Sequence, residues 1–271
     1  MNPVAAAEQA IRDADPDAAL KHLQDGVRAN PSDPKLRVFL FQLLSVLGQW
    51  DRALNQLNVA AELDASTLAM AQMYREALRC EVLRAEVFSG RRSPLIFGMP
   101  QQWLALLIES LLTAGQGDAA HAGQLREAAF EQAPPTSGTL DGEAFDWIAD
   151  ADMRLGPVCE AVINGKYYFV PFEALSRISI EAPEDLRDLV WMPAHFEFTN
   201  GGEAVGVIPT RYAGSESDPD PLIRLARKTE WNEPASGVFH GLGQRIFTTD
   251  AGDHPLMGIR EIRFTPQTTA E

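Results

Sequence analysis

The chain has 271 residues, 45% hydrophobic and 23% charged, which are globular proportions and exclude disorder as the dominant state. Lys plus Arg number 23 against 38 Asp plus Glu, a net charge of −15, so the surface repels phosphate backbones and general nucleic-acid binding is excluded. Two cysteines, Cys80 and Cys159, can build neither a disulfide framework nor a four-cysteine metal site.

The first residues, Met1-Asn2-Pro3-Val4-Ala5, have no basic start and no signal-type apolar run. No window approaches the ~18 apolar residues of a bilayer span. A cytoplasmic location with reduced thiols, and no membrane partner, follow as expectations. Leu36, Phe39, Leu40, Leu43, Leu44 and Leu47 fall on one stripe of a helix. Gly48 stops that helix, and Asp51 is expected to cap a second one carrying Ala53, Leu54, Leu57, Ala60 and Ala61.

An internal repeat is visible. Ala19, Leu20, Leu23, Gly26 and Asn30 recur at Ala53, Leu54, Leu57, Ala60 and Asp64, each 34 residues on. That period, with small residues at the close-contact points, is the tetratricopeptide signature. A long helix is expected over 66–88. A looser third copy starts at Trp103 and Leu106 and runs through Leu125 and Ala128. The helical half closes at Ala133-Pro134-Pro135-Thr136-Ser137-Gly138, which cannot continue a helix. The expected domains are therefore 1–135, tetratricopeptide-like, and 136–271.

Residues 136–271 hold 11 basic and 22 acidic side chains, so most of the excess charge lies there. Two strands around Asn164-Gly165 give a hairpin over 161–170. A second hairpin turns at Asn200-Gly201-Gly202, with arms 191–199 and 203–208. Further strands are expected at 245–249 and 258–264, and short helices at 172–177, 184–188 and 219–227. The loop 213–221 reads as exposed. The fold class is α+β multidomain: helical repeats, then an α+β domain on a small antiparallel sheet.

No chemical motif is complete. Asp146, Asp150 and Asp152 could serve a metal-dependent hydrolase, but their spacing is not that of a calcium loop. The five histidines and two cysteines lack zinc-ligand spacing. His195-Phe196-Glu197 has the His-x-Glu of zinc deaminases without the matching Pro-Cys-x-x-Cys. Gly241-Leu242-Gly243-Gln244-Arg245 reads as a tight turn, since it lacks the rest of a phosphate loop. No metal and no cofactor are expected. Arg154, Arg187, Arg211 and Arg245 stand near Trp147, Trp191, Tyr212 and Phe247. Buried Arg–carboxylate pairs tying loops to the sheet are one reading. The other is a groove with an aromatic floor that takes a peptide helix, with Trp191, Arg211, Tyr212 and Trp231 as partner-binding residues.

The run Phe145-Asp146-Trp147-Ile148-Ala149-Asp150-Ala151-Asp152-Met153-Arg154-Leu155-Gly156-Pro157-Val158-Cys159-Glu160 resembles the ImpE/TagJ (SciE) family of type VI secretion accessory proteins. The similarity continues in Gly165-Lys166-Tyr167, Val170-Pro171-Phe172, Leu186-Arg187-Asp188-Leu189-Val190-Trp191, Pro209-Thr210-Arg211-Tyr212 and Gly241-Leu242-Gly243-Gln244-Arg245. It spans nearly all of 145–264. The resemblance implies a non-enzymatic adaptor that binds a helix near the N-terminus of the small contractile-sheath subunit. Through it the adaptor is linked to sheath handling by a ClpV-type ATPase. The competing readings are the Asp146/Asp150/Asp152 hydrolase and a generic repeat scaffold for an unrelated peptide.

Overall fold

The structure, a computed structural model, describes residues 2–99, 101–235 and 237–266. The first half is built from helices α1 (Pro3–Arg12), α2 (Pro16–Ala29), α3 (Pro34–Val46), α4 (Trp50–Leu63), α5 (Leu68–Phe88), α6 (Gln102–Gly115) and α7 (Ala119–Gln132). Their starts are written locally. Asn2, Asp15, Asp33 and Asp118 accept first-turn N–H groups, and Pro3, Pro16 and Pro34 sit at first helical positions, where no N–H is needed. Asp51 lies within the first turn of α4, behind the N-cap Gln49, so it complements the helix dipole and is not the expected cap.

The repeat packs as its small residues require. Ala19, Leu23 and Gly26 on α2, and Ala53, Leu57 and Ala60 on α4, are all buried. A Cβ on Gly26 would stand 3.0 Å from the Pro3 ring, so α1 and α2 touch where only a small residue fits. Helices α1–α2, α3–α4 and α6–α7 are packed pairs, and the looser third copy is the last of these.

The second half carries strands β2 (Gly138–Leu140), β3 (Glu143–Phe145), β4 (Ile148–Asp150), β5 (Val158–Ile163), β6 (Lys166–Pro171), β7 (Leu175–Ile180), β8 (Trp191–Phe198), β9 (Glu203–Pro209), β10 (Thr229–Ala235), β11 (Val238–Gly243), β12 (Ile246–Thr249), β13 (Gly252–Pro255) and β14 (Glu261–Phe264). With β1 (Leu95–Ile96), the main sheet has nine strands in the order β1-β6-β5-β9-β8-β7-β14-β2-β3. Its edge strand β1 comes from the helical half and pairs parallel to β6; the other pairs are antiparallel. The sheet thus exceeds the small one expected. A three-stranded sheet β13-β12-β4 and a ribbon β10-β11 complete the domain.

Both predicted hairpins form. Asn164 and Gly165 take φ of 50° and 72°, the doubly left-handed turn that an Asn-Gly pair favours. The short helices differ from expectation. Residues Phe172–Ala174 and Leu186–Leu189 are single 3-10 turns, Pro221–Arg224 is one α-turn (α8), and 175–177 already belong to β7. Isolated turns of this length fix too few hydrogen bonds to persist as longer helices. The segment 213–221 is not a free loop: Ser215 is buried, and its hydroxyl donates to the Tyr212 carbonyl at 2.6 Å. Gly241 and Gly243 lie in β11, not in a turn. A Cβ on Gly241 would fall 2.2 Å from the Tyr212 ring, so the strand approaches that ring as only glycine allows.

Strand alternation sorts two cores. Trp191 of β8 and Val158 and Val162 of β5 face the helices, whereas Met192, Ala194 and Phe196, with Cys159, Ala161 and Ile163, face the opposite side. The helix-side core is continuous across the expected boundary at 135. It joins residues of α1–α7 to Leu155, Tyr167, Phe169, Val190, Val207 and Leu225.

Candidate functional site

Strand alternation also decides where Glu160 goes. It lies between Cys159 and Ala161 on β5, on the side of Val158 and Val162, and so faces α5. There it is fully buried. Arg84 of α5 donates to it through Nε at 2.7 Å and Nη2 at 3.1 Å, and the Tyr167 hydroxyl donates as well. Arg245, also fully buried, bridges Glu160 and Asp150, and its Nε donates to the Pro209 carbonyl at 2.8 Å. Glu81, one turn before Arg84, accepts from the Trp191 indole at 2.9 Å. Arg211 runs the other way. Its guanidinium donates to the carbonyls of Val46, at 2.8 Å, and Ser45, at 3.4 Å, and to that of Arg224. Its own carbonyl accepts from Arg84 Nη2 at 2.7 Å. Arg84, Arg211 and Arg245 are thus set against Glu81, Asp150 and Glu160 inside one interface between helices and sheet.

The electrostatics follow from that arrangement. Burial opposes ionisation of Glu160, but the guanidiniums of Arg84 and Arg245 override it and hold the carboxyl at about 2. Burial pushes Asp150 up to about 7, against the pull of Arg245 and with the Asp152 charge adding to the rise. Glu81 is raised by burial against the pull of Arg84. The thiols are inert as nucleophiles: burial, with Glu81 beside it, pushes Cys80 up to about 12, and Cys159 is raised by burial as well. Every charged group here is spent on another group of the protein. The cluster is therefore a means of holding the two halves together.

The sequence-selected residues are distributed unevenly. Trp191, Arg211 and Tyr212 are buried, at 0%, 3% and 1% exposure, while Trp231 is 39% exposed. Trp191 packs between Trp50 and Tyr74. The Tyr212 ring lies 5.7 Å from that of Trp231, centroid to centroid, tilted by 54°, and has the Arg245 guanidinium 5.2 Å from its centroid. Tyr212 and Trp231 come together; Trp191 lies with α3–α5 instead. These four make no open groove, and only Trp231 presents itself to a partner. The reading of buried Arg–carboxylate pairs describes Arg245 and also Arg154, whose Nε donates to Asp152 at 2.9 Å.

Asp146, Asp150 and Asp152 do not converge. Asp146 is exposed, Asp150 is held by Arg245, and Asp152 by Arg154 and the Gly241 N–H at 2.9 Å. Among the described residues, no group of three or more His, Cys, Asp or Glu side chains is placed to hold a metal ion. His195 sits on β8 beside Glu203, at 3.3 Å. No described helix is long and apolar enough to cross a membrane.

A model of the ImpE protein family matches residues 142–263, and a tetratricopeptide-repeat model matches residues 10–77. The curated type VI secretion system accessory component TagJ of Pseudomonas aeruginosa is 49% identical over 260 residues, covering 96% of this chain and 91% of that protein. The chain belongs to the ImpE/TagJ family. A crystal structure of a Vibrio parahaemolyticus protein shares the fold, with a TM-score of 0.88, 24% identity, and 98% and 99% of the two chains covered.

The ImpE blocks read from the sequence meet around the ionic cluster. Asp150, Asp152 and Glu160 come from the first block, Tyr167 from the second, Trp191 from the fourth, Arg211 and Tyr212 from the fifth, and Arg245 from the last. The partners that sequence reasoning missed, Glu81 and Arg84, lie in the tetratricopeptide half. A signal was present: both fall on the α5 stripe of Tyr74, Ala77, Leu78 and Val87, where a charge implies a buried partner. The outward face of the helical half offers a different feature. A groove of about 540 Å³ runs between α1, α3, the turn before α5 and the segment 184–186. Ile11, Val38, Phe39 and Leu186 are apolar parts of its lining, which also carries charges of both signs: Glu8, Asp64, Glu184 and Asp185 beside Arg12 and Lys35.

Proposed function

We propose that this chain is a non-enzymatic accessory protein of a bacterial type VI secretion system. It grips a helix near the N-terminus of the small contractile-sheath subunit and so links the sheath to a ClpV-type ATPase. The observation that carries the reading is the kinship with TagJ along almost the whole chain, from helical repeats to the last strand. The groove between α1 and α3 supports it physically, because its apolar lining suits the apolar face of an amphipathic helix, and its four carboxylates outnumber Arg12 and Lys35, which favours a partner with a basic rim. The buried cluster supports it as well, since its charges are mutually compensated and leave no acid, base or nucleophile free.

The test is a pull-down of the purified chain with the sheath small subunit, with and without that subunit's N-terminal helix. Retention is expected only when the helix is present. Val38→Asp, which puts a charge on the groove floor, should weaken retention at least tenfold. Trp231→Ala tests the second-domain position in the same assay. Equal retention of the helix-deleted subunit, or none of the intact one, overturns the reading.

A further inference from the structure

One face of α3 lines the groove between α1 and α3. Pro34, Lys35, Val38, Phe39 and Gln42 all border it, at the three- and four-residue spacings that stack side chains along a helix. The last of them is out of character. Its chain neighbours Phe41 and Leu43 lie in the core, and Gln42 is itself only 6% exposed. A position so buried ordinarily carries an apolar side chain, or a polar one bonded within the protein. Gln42 is neither. Its carboxamide makes no hydrogen bond to any described residue, yet neither its oxygen nor its nitrogen is sealed from water, and the groove is the opening it borders. Arg37 and Ser45, on the turns before and after it, bond Gln56 and the Phe41 carbonyl instead. Other polar side chains of the lining are already engaged. Arg12 donates to Gln9, Thr67 donates to the Asp64 carbonyl, the Asp64 carboxylate accepts the Ser66 N–H, and Asp185 pairs with Arg187.

A partner that covers the groove must answer this carboxamide, because a polar group shut off from water without a hydrogen bond costs free energy. A helix has spent its own backbone groups internally, so only one of its side chains can answer. The surroundings select which kind. Val38, Phe39 and Leu186 border the same groove, and a charge brought among them would lose more hydration than one neutral amide returns. That leaves a neutral side chain able to donate and to accept: Asn, Gln, Ser or Thr.

We infer that Gln42 is the specificity-determining residue of the groove, its carboxamide hydrogen-bonding one neutral polar side chain set within the apolar stripe of the bound helix. This rests on the reading of the groove as the seat of the sheath subunit's helix, and adds what that helix must carry. A helix apolar along its whole stripe strands the carboxamide and is disfavoured, just as a single buried polar residue selects register and partner in a coiled coil.

The probe is the intact sheath small subunit, titrated by calorimetry into the full chain and into its Gln42→Leu and Val38→Asp variants. Gln42→Leu keeps the bulk of the side chain and breaks no internal hydrogen bond, so it should melt at the wild-type temperature or higher, while binding weakens about tenfold. In a second arm each Asn, Gln, Ser and Thr of the subunit's N-terminal helix is changed singly to Ala. One of these changes should weaken binding to the wild-type chain about tenfold and have little further effect on binding to Gln42→Leu. Unchanged or tighter binding by Gln42→Leu, with Val38→Asp still weakening it, overturns this inference and leaves the groove reading standing. Unchanged binding by Val38→Asp removes the groove reading and this inference with it. A lowered melting temperature for Gln42→Leu would assign the carboxamide to the fold and overturn the inference, as would additive effects for every helix substitution.

Discussion

Glu160 is the point at which two guanidiniums and a phenol converge, all of them inside the protein. Replacing its charge leaves Arg84 and Arg245 without their shared counter-ion in a place water cannot reach. Glu160→Gln is therefore expected to cost about 3–5 kcal/mol, read from urea denaturation. The surface change Glu261→Gln, in a ladder with Arg177 and Arg263, should cost under about 1 kcal/mol. The pH response has two limbs of the same sign. Glu160 is held at about 2 against an ordinary 4.5, so its stabilisation is complete above pH 4.5 and is lost as pH falls toward 2. His240 is pushed down to about 4, by burial first and then by Arg154. It stays neutral in the folded chain while the unfolded chain takes up a proton near pH 6.5, so stability falls between pH 6.5 and 4. The raised Asp150 acts in the opposite sense over part of that window. The contribution of His240 is isolated by the difference between wild type and His240→Gln, which should shrink steadily from pH 7 to 4 in melting experiments. A constant difference would remove His240 from the account.

At the scale of elements, the end of α3 shows how a helix of one half depends on a strand end of the other. A helix leaves its last carbonyls without internal partners. Here those of Ser45 and Val46 receive the Arg211 guanidinium, delivered from just after β9. A cation at that end also suits the helix dipole. Arg211→Leu keeps most of the buried volume and strips the donors. It is expected to destabilise by roughly 2–3 kcal/mol and to speed amide exchange in the last turn of α3 and its successor α4, with exchange in β14 changed least. Uniform acceleration everywhere would mean that Arg211 serves global stability and not this junction. The elements themselves were unequally legible. Helices α2–α5 and the two Gly-turn hairpins announce themselves through the 34-residue repeat, proline starts and the Asn-Gly pair. Strands β1, β2 and β4 are two or three residues long and carry too little periodicity to stand out; they exist because longer neighbours offer them an edge.

At the scale of the molecule, the helical repeat and the Pro134-Pro135 break suggested two domains with a seam near 135, and the packing runs through that seam. One core contains Leu23, Phe41, Tyr74 and Leu107 together with Val158, Tyr167, Trp191 and Val207, and the salt-bridged cluster lies in the same interface. Removing either half would expose that surface and strand its charges. The chain is therefore expected to unfold in one cooperative transition, with helical circular dichroism and near-ultraviolet tryptophan signals changing together and the calorimetric and van't Hoff enthalpies equal. Two separated transitions would show instead that the halves are held only loosely.

Local sequence determined the helical repeats, the principal hairpins and the family, because each depends on residues within a few turns of one another or on blocks kept in order. Which charges are buried together was decided by tertiary structure. Arg84 and Glu160 are 76 residues apart, and Arg211 and Val46 are 165 apart. Three of the four residues chosen as a binding surface lie inside for the same reason. An aromatic beside an arginine has the same local pattern whether it lines a groove or fills a core, and only the arrival of α3 and α5 over the sheet separates the two.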